Sequence, residues 1–144
     1  MNTVLTTDAI RLSGSATSRD DAIAEVGAML VSSGAVTPEY VDAMFARESS
    51  VSTYMGNLLA IPHGTNEAKD EILRSQVAVI RYDSELDWGG FPVRFVIGIA
   101  GKGDSHMEVL GAIAMVFSDM SAVEKLLEAN STGEVLDILG LSAA

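Results

Sequence analysis

A chain of 144 residues with 48% hydrophobic and 20% charged residues reads as a single globular domain over 1–144, since domains commonly run about 100–150 residues. It has no cysteine, which excludes disulfides, thiolate metal sites and cysteine nucleophiles. Its formal net charge of −11 argues against nucleic acid, whose phosphates call for a basic face, and allows docking on a basic patch of a protein partner.

The opening "MNTVLTTDAIRL" has no charged segment followed by a long apolar core, so no secretory signal is read. Apolar runs such as "FVIGIAG" and "VLGAIAMVF" are too short to cross a bilayer. No direct membrane insertion and a cytoplasmic location are therefore expected.

In chain order, "AIRLS" (9–13) alternates weakly and suggests a first strand. Ser18 then heads a helix with Ala22, Ile23, Val26, Met29 and Leu30 on one face, ended by Gly34. Thr37 as N-cap with Pro38 at the first helical position starts a second helix, with Val41, Met44 and Phe45 as its expected buried stripe. "NLLAIPH" (57–63) reads as a short strand broken by Pro62. The apolar runs "SQVAVIRY" (75–82) and "FPVRFVIGIAG" (91–101) fit strands covered on both faces. Between them, "DSELDWGG" reads as a loop or hairpin connection turning at Gly89 and Gly90.

"GKGDS" leads into a helix whose Met107, Leu110, Ile113, Ala114 and Phe117 share a face, with Ser105 and Glu108 spaced as a capping box. Two short helices follow, "MSAVEKLLEAN" and "STGEVLDIL", the second again with a Ser131/Glu134 box. Helices at both ends of a central run of strands give an α/β fold, a small mixed β-sheet sandwiched between helices.

The chemistry narrows by exclusion. "GKGDS" lacks the spacing of a phosphate-binding P-loop, and position 106, where a G-x-G-x-x-G motif needs its third glycine, is histidine. No H-E-x-x-H or G-x-S-x-G occurs. His63, between Pro62 and Gly64, His106 in the first turn of a helix, and Arg47 near the end of the second helix all fall at element ends, where sites on α/β sheets collect.

Neutral imidazole is a nucleophile near neutral pH. A phosphoryl group held on it would find donors at a helix N-terminus and on an arginine, and Gly64 would let backbone approach that group closely. Spacing and chemistry alone still leave two unrelated surface histidines as the commoner arrangement.

The stretch "STYMGNLLAIPHGTNEAKDEIL" changes this. It resembles the active-site region of the enzyme IIA components of the bacterial sugar phosphotransferase system, mannitol/fructose class, and is closest to the mannitol branch. The resemblance extends through "AMFARESSVSTYMGN", "VIGIAG", "SHMEVLGAIA" and "EVLDIL". It departs where the family often carries Arg-Glu-Lys in place of "RESSV" and an acidic residue in place of Asn57.

The resemblance implies a phosphotransferase component with the mixed-sheet fold. His63 would be the phosphoryl acceptor, as a tele-phosphohistidine, although the sequence itself does not choose a ring nitrogen. His106 and Arg47 would stabilise the phosphoryl group. HPr would be the donor and a cysteine of enzyme IIB the acceptor, with membrane IIC engaged indirectly. No cofactor or metal is implied. The expected docking surface is an apolar ring around His63 including Leu58, Leu59, Met107 and Leu110. The competing expectations are a regulatory IIA of the nitrogen-related type and a non-catalytic binding module in which His63 is structural.

Overall fold

In the computed structural model, which describes residues 5–102 and 105–140 apart from the side chains of 66, 69, 105 and 106, the first weakly alternating segment forms a two-residue strand, β1 (Ile10–Arg11). Helix α1 (Arg19–Ser32) starts at Ser18, whose hydroxyl accepts from the Asp21 N–H at 3.2 Å. It closes with the Gly34 and Ala35 N–H groups turned back onto the Val31 and Leu30 carbonyls, a Schellman ending.

Helix α2 (Pro38–Ser50) begins where Thr37 and Pro38 predict, but the Thr37 side chain makes no cap and bonds Glu71 instead. The buried stripe also differs from expectation, being Tyr40, Met44 and Glu48, with Val41 and Phe45 only half-buried. Val41 is turned toward α1, where its methyls press against Gly27. The sheet therefore receives the row one position back, and two members of that row carry polar ends.

The strand expected at 57–63 is shorter. Strand β2 (Tyr54–Gly56) pairs with β3 (Leu59–Ala60), and Asn57 and Leu58 form the turn with φ of 51° and 73°. Two positive φ values in a two-residue loop match the right-handed twist of the flanking strands. The Asn57 amide donates to the Phe117 carbonyl at 2.7 Å and anchors this turn.

Strand β4 (Gln76–Trp88) runs straight through the segment expected as a loop, and β5 (Phe91–Ala100) returns from a turn at Gly89 and Gly90. A register shift between Arg81 and Leu86 leaves Asp83, Ser84 and Glu85 exposed in succession and hides the alternation, which resumes with buried Leu86 and Trp88.

Helices α3 (Ser105–Phe117), α4 (Met120–Glu128) and α5 (Thr132–Leu139) complete the chain. Among the described side chains of α3 the buried positions are Val109, Ile113 and Phe117, while Met107, expected on that face, is 71% exposed. Met107 sits two residues before Val109, about 200° round the helix, on the opposite side. The Ser105 side chain of the expected capping box lies outside the described residues. Of the expected Ser131/Glu134 box the serine half is seen, its hydroxyl accepting from the Glu134 N–H at 3.2 Å as an N-cap.

The five strands lie in the order β1-β4-β5-β3-β2, with parallel pairs β1/β4 and β3/β5 and antiparallel pairs β4/β5 and β2/β3. The sheet is mixed, as expected. Its alternation divides the core: Val77, Val79, Phe95, Ile97 and Ile99 meet α3, α4 and α5, and Ala78, Ile80, Val96 and Ala100 meet α1 and α2. The result is a three-layer α/β sandwich.

Candidate active site

After β3 the chain cannot simply continue pairing with β5, because Pro62 has no N–H to give. Its carbonyl still accepts from the Ile99 N–H at 3.1 Å, and His63 forms an isolated parallel bridge with Ile99. On the other side the Ile61 N–H donates to the Thr53 carbonyl at 3.0 Å. His63 therefore sits at the end of the sheet on a segment stitched from both sides, and it is half-buried.

The His63 ring nitrogen Nδ1 lies 2.8 Å from the Ile61 carbonyl oxygen. A carbonyl can only accept, so Nδ1 carries the proton and the ring's basic lone pair is on Nε2. The tautomer follows from that one hydrogen bond.

Gly64 does something other than sequence suggests. Its N–H donates to the Tyr40 hydroxyl at 2.8 Å, and a Cβ at this position would fall 2.5 Å from a Tyr40 ring carbon. The glycine makes room for the tyrosine, and its N–H is already engaged.

Arg47 occupies the last turn of α2, half-buried, and its guanidinium donates to the Val51 carbonyl at 2.6 Å. Its hydrogen bond thus holds the segment leading into β2 rather than reaching His63. The next residue, Glu48, is 7% exposed. Its carboxylate accepts from the Thr53 N–H and the Trp88 indole N–H, each at 2.9 Å, and from the Thr53 hydroxyl. Thr53 is the residue whose carbonyl holds Ile61, so α2 reaches the His63 segment through Tyr40 at one end and Glu48 at the other.

Tyr40 and Glu48 were not legible as site residues. A helical tyrosine reads as apolar filling, and a glutamate beside an arginine reads as surface charge. The only hint is their spacing with Met44 on one helical face.

His106 is the second residue of α3, and its side chain lies outside the described residues. Strand β5 ends at Ala100, so α3 begins at the end of the sheet that carries His63. Of the expected docking ring, Leu59 is fully buried, Leu58 and Leu110 are half-buried and Met107 is exposed. Leu59 belongs to the core.

After His63, a 3-10 helix (Asn66–Glu71) presents exposed Glu67 and Asp70. A cavity of about 670 Å³ between β1 and α1 is lined by residues including Arg11, Glu25, Arg74 and Gln76, and none of its lining comes from the His63 segment. Among the described residues no three His, Asp or Glu side chains cluster as metal ligands, and no helix is long and apolar enough to cross a membrane.

An imidazole with a fixed tautomer, at a sheet end and outside that cavity, suits group transfer between protein surfaces. Comparison with known proteins points the same way. The mannitol-specific phosphotransferase enzyme IIA component of Halalkalibacterium halodurans is 49% identical over 138 residues, covering 96% of this chain and 95% of that one. Among solved structures, the complex of enzyme IIA Mtl and phosphorylated enzyme IIB Mtl from Escherichia coli matches with a TM-score of 0.87 and 36% identity, covering 94% of this chain and 96% of that chain. The crystal structure of IIA mannitol from Escherichia coli matches with a TM-score of 0.85 and 37% identity, covering 93% and 97%. The family model described as "Phosphoenolpyruvate-dependent sugar phosphotransferase system, EIIA 2" matches residues 3–140, and the chain belongs to that family.

Proposed function

We propose that this chain is the phosphocarrier of a mannitol uptake system, working in the cytoplasm. It accepts a phosphoryl group from the phosphohistidine of HPr on Nε2 of His63 and passes it to a cysteine of an enzyme IIB, whose membrane IIC partner carries the sugar. The observation that carries this reading is the hydrogen bond from Nδ1 to the Ile61 carbonyl, which puts the nucleophilic lone pair on Nε2.

In the first step the N–P bond of the donor breaks as the Nε2–P bond forms, and the departing HPr ring recovers its lone pair. Nδ1 keeps its proton throughout. The Ile61 carbonyl dipole stabilises the positive charge that builds on the ring as Nε2 gives up its electrons. The phosphoryl oxygens need donors. Arg47 supplies a two-pronged one by exchanging its Val51 bond, and the start of α3 with His106 supplies the rest. Such transfers depend on alignment and electrostatics more than on covalent machinery.

The identity to a mannitol-specific component favours the transport reading over a nitrogen-type regulator. The test is His63→Ala, incubated with phosphoenolpyruvate, enzyme I and HPr. The variant is expected to fold as wild type by circular dichroism and to take up no acid-labile phosphate. A variant that still accepts phosphate at the wild-type rate would remove His63 from the role.

A further inference from the structure

We propose that Tyr40 is a positioning residue for phosphoryl transfer, its hydroxyl linking the Gly64 N–H to the Ile99 carbonyl and so completing, with the direct bond from the Ile99 N–H to the Pro62 carbonyl, a hold on the backbone on both sides of His63. This rests on the reading of His63 as the phosphoryl acceptor.

A parallel bridge between His63 and Ile99 has two rungs. One is present directly, from the Ile99 N–H to the Pro62 carbonyl at 3.1 Å. The other would run from the Gly64 N–H to the Ile99 carbonyl. In its place stands a phenol oxygen, which accepts from the Gly64 N–H at 2.8 Å and donates to the Ile99 carbonyl at 2.8 Å. Tyr40 is 2% exposed, so neither bond competes freely with water.

The direction of both bonds is fixed. The Ile99 carbonyl can only accept, so the phenol proton is committed to it and the oxygen lone pair faces Gly64. Burial raises the phenol pKa, opposed in part by the Gly64 N–H. The proton therefore stays in place at neutral pH. Gly64 is matched to this arrangement, since a side chain there would meet the ring at 2.5 Å.

The peptides before and after His63 are thus both tied to one residue of β5. With the Cα so held and Nδ1 bound to the Ile61 carbonyl, Nε2 is aimed in one direction without help from a ligand. The same bond also takes the Gly64 N–H out of the set of donors open to the phosphoryl group, leaving that task to side chains and the start of α3.

Tyr40→Phe keeps the ring that fills the space beside Gly64 and removes only the bridging oxygen. Acceptance of phosphate from phospho-HPr is expected to slow by roughly tenfold to a hundredfold, the scale of a small misalignment, with the KM for HPr changed by no more than about twofold. The His63 ring ¹⁵N signals should move toward a mixture of tautomers, and the Gly64 amide should exchange faster with solvent.

Gly64→Ala presses on the same contact from the other side and is expected to give the same signature, so it decides the matter if Tyr40→Phe fails to fold. A purely structural tyrosine would lower the melting temperature and leave the transfer rate and ring signals alone. That outcome in a folded Tyr40→Phe would overturn the proposal. If His63→Ala is inert while Tyr40→Phe transfers normally, the acceptor assignment stands and the positioning role alone falls. If His63→Ala still accepts phosphate, the reading beneath both is wrong.

Discussion

Glu48 is a buried carboxylate that forms no ion pair among the described residues, yet accepts three hydrogen bonds from Thr53 and Trp88. Its value lies in geometry as much as charge. In Glu48→Gln the amide oxygen can take the place of Oε2 and accept from the Thr53 N–H and the Trp88 indole, while the amide nitrogen donates to a rotated Thr53 hydroxyl. Stability is then expected to stay within about 1 kcal/mol of wild type. Glu48→Leu leaves both N–H donors buried and unpaired, at a cost of about 2–5 kcal/mol. Urea unfolding of both variants checks this, and a leucine variant as stable as the glutamine one would contradict it. At this scale the sequence exposes His63, because the chain holds only two histidines and this one lies between proline and glycine. Tyr40 and Glu48 stay hidden because their partners, at Gly64, Ile99, Thr53 and Trp88, are brought to them by the fold.

Between elements, the link that most resembles a latch is Glu25 on α1, which holds the connection from β1. Its carboxylate accepts from the Ser15 N–H and hydroxyl, the Ala16 N–H, the Tyr82 hydroxyl and Arg11, at 2.7–3.1 Å. Burial alone would raise its pKa, but the bonds from Ser15, Tyr82, Arg11 and Ala16 outweigh burial and lower it from 4.5 to about 2. A carboxyl whose pKa falls on folding stabilises the fold when ionised. That contribution is complete above pH 4.5 and drains away as the pH falls toward 2. Its full size is at most about 3 kcal/mol, less whatever solvent screening removes. Glu25→Gln should therefore be less stable than wild type at neutral pH and lose less between pH 4.5 and 2. Parallel losses of stability in the two proteins across that window would refute the latch. None of this was legible, since Tyr82 lies 57 residues from Glu25 and Arg11 lies 14 away. The segment 83–88 failed at the same level, because a register shift breaks the period-two signal that identifies a strand.

Across the whole molecule, the layering was legible because it depends on patterns that survive averaging. Continuous apolar runs marked β4 and β5 as strands covered on both faces, and amphipathic segments before and after them supplied the two helical layers. Strand order was not legible, since two-residue β1 and β3 are too short to carry a pairing signal. Charge is the other whole-molecule property, and it makes a claim about encounter. The net charge of −11 speeds association with a basic partner surface, and salt weakens that pull over a Debye length of about 10 Å at 0.1 M. The acids nearest His63 in the chain are exposed Glu67 and Asp70. Glu85 stands on β4 next to Leu86, which pairs with Val93, and six residues of strand put this position roughly 20 Å from Ile99. Glu67→Lys should lower kcat/KM for phospho-HPr several-fold and flatten its dependence on salt, with kcat little changed. Glu85→Lys makes the same change in net charge beyond the screening distance and should leave kcat/KM near wild type at 0.15 M salt, where the Debye length is about 8 Å. Steady-state transfer measured for both variants across a salt series separates the cases. Equal effects from the two reversals would mean that overall charge, rather than the exposed acids that follow His63 in the chain, governs the encounter.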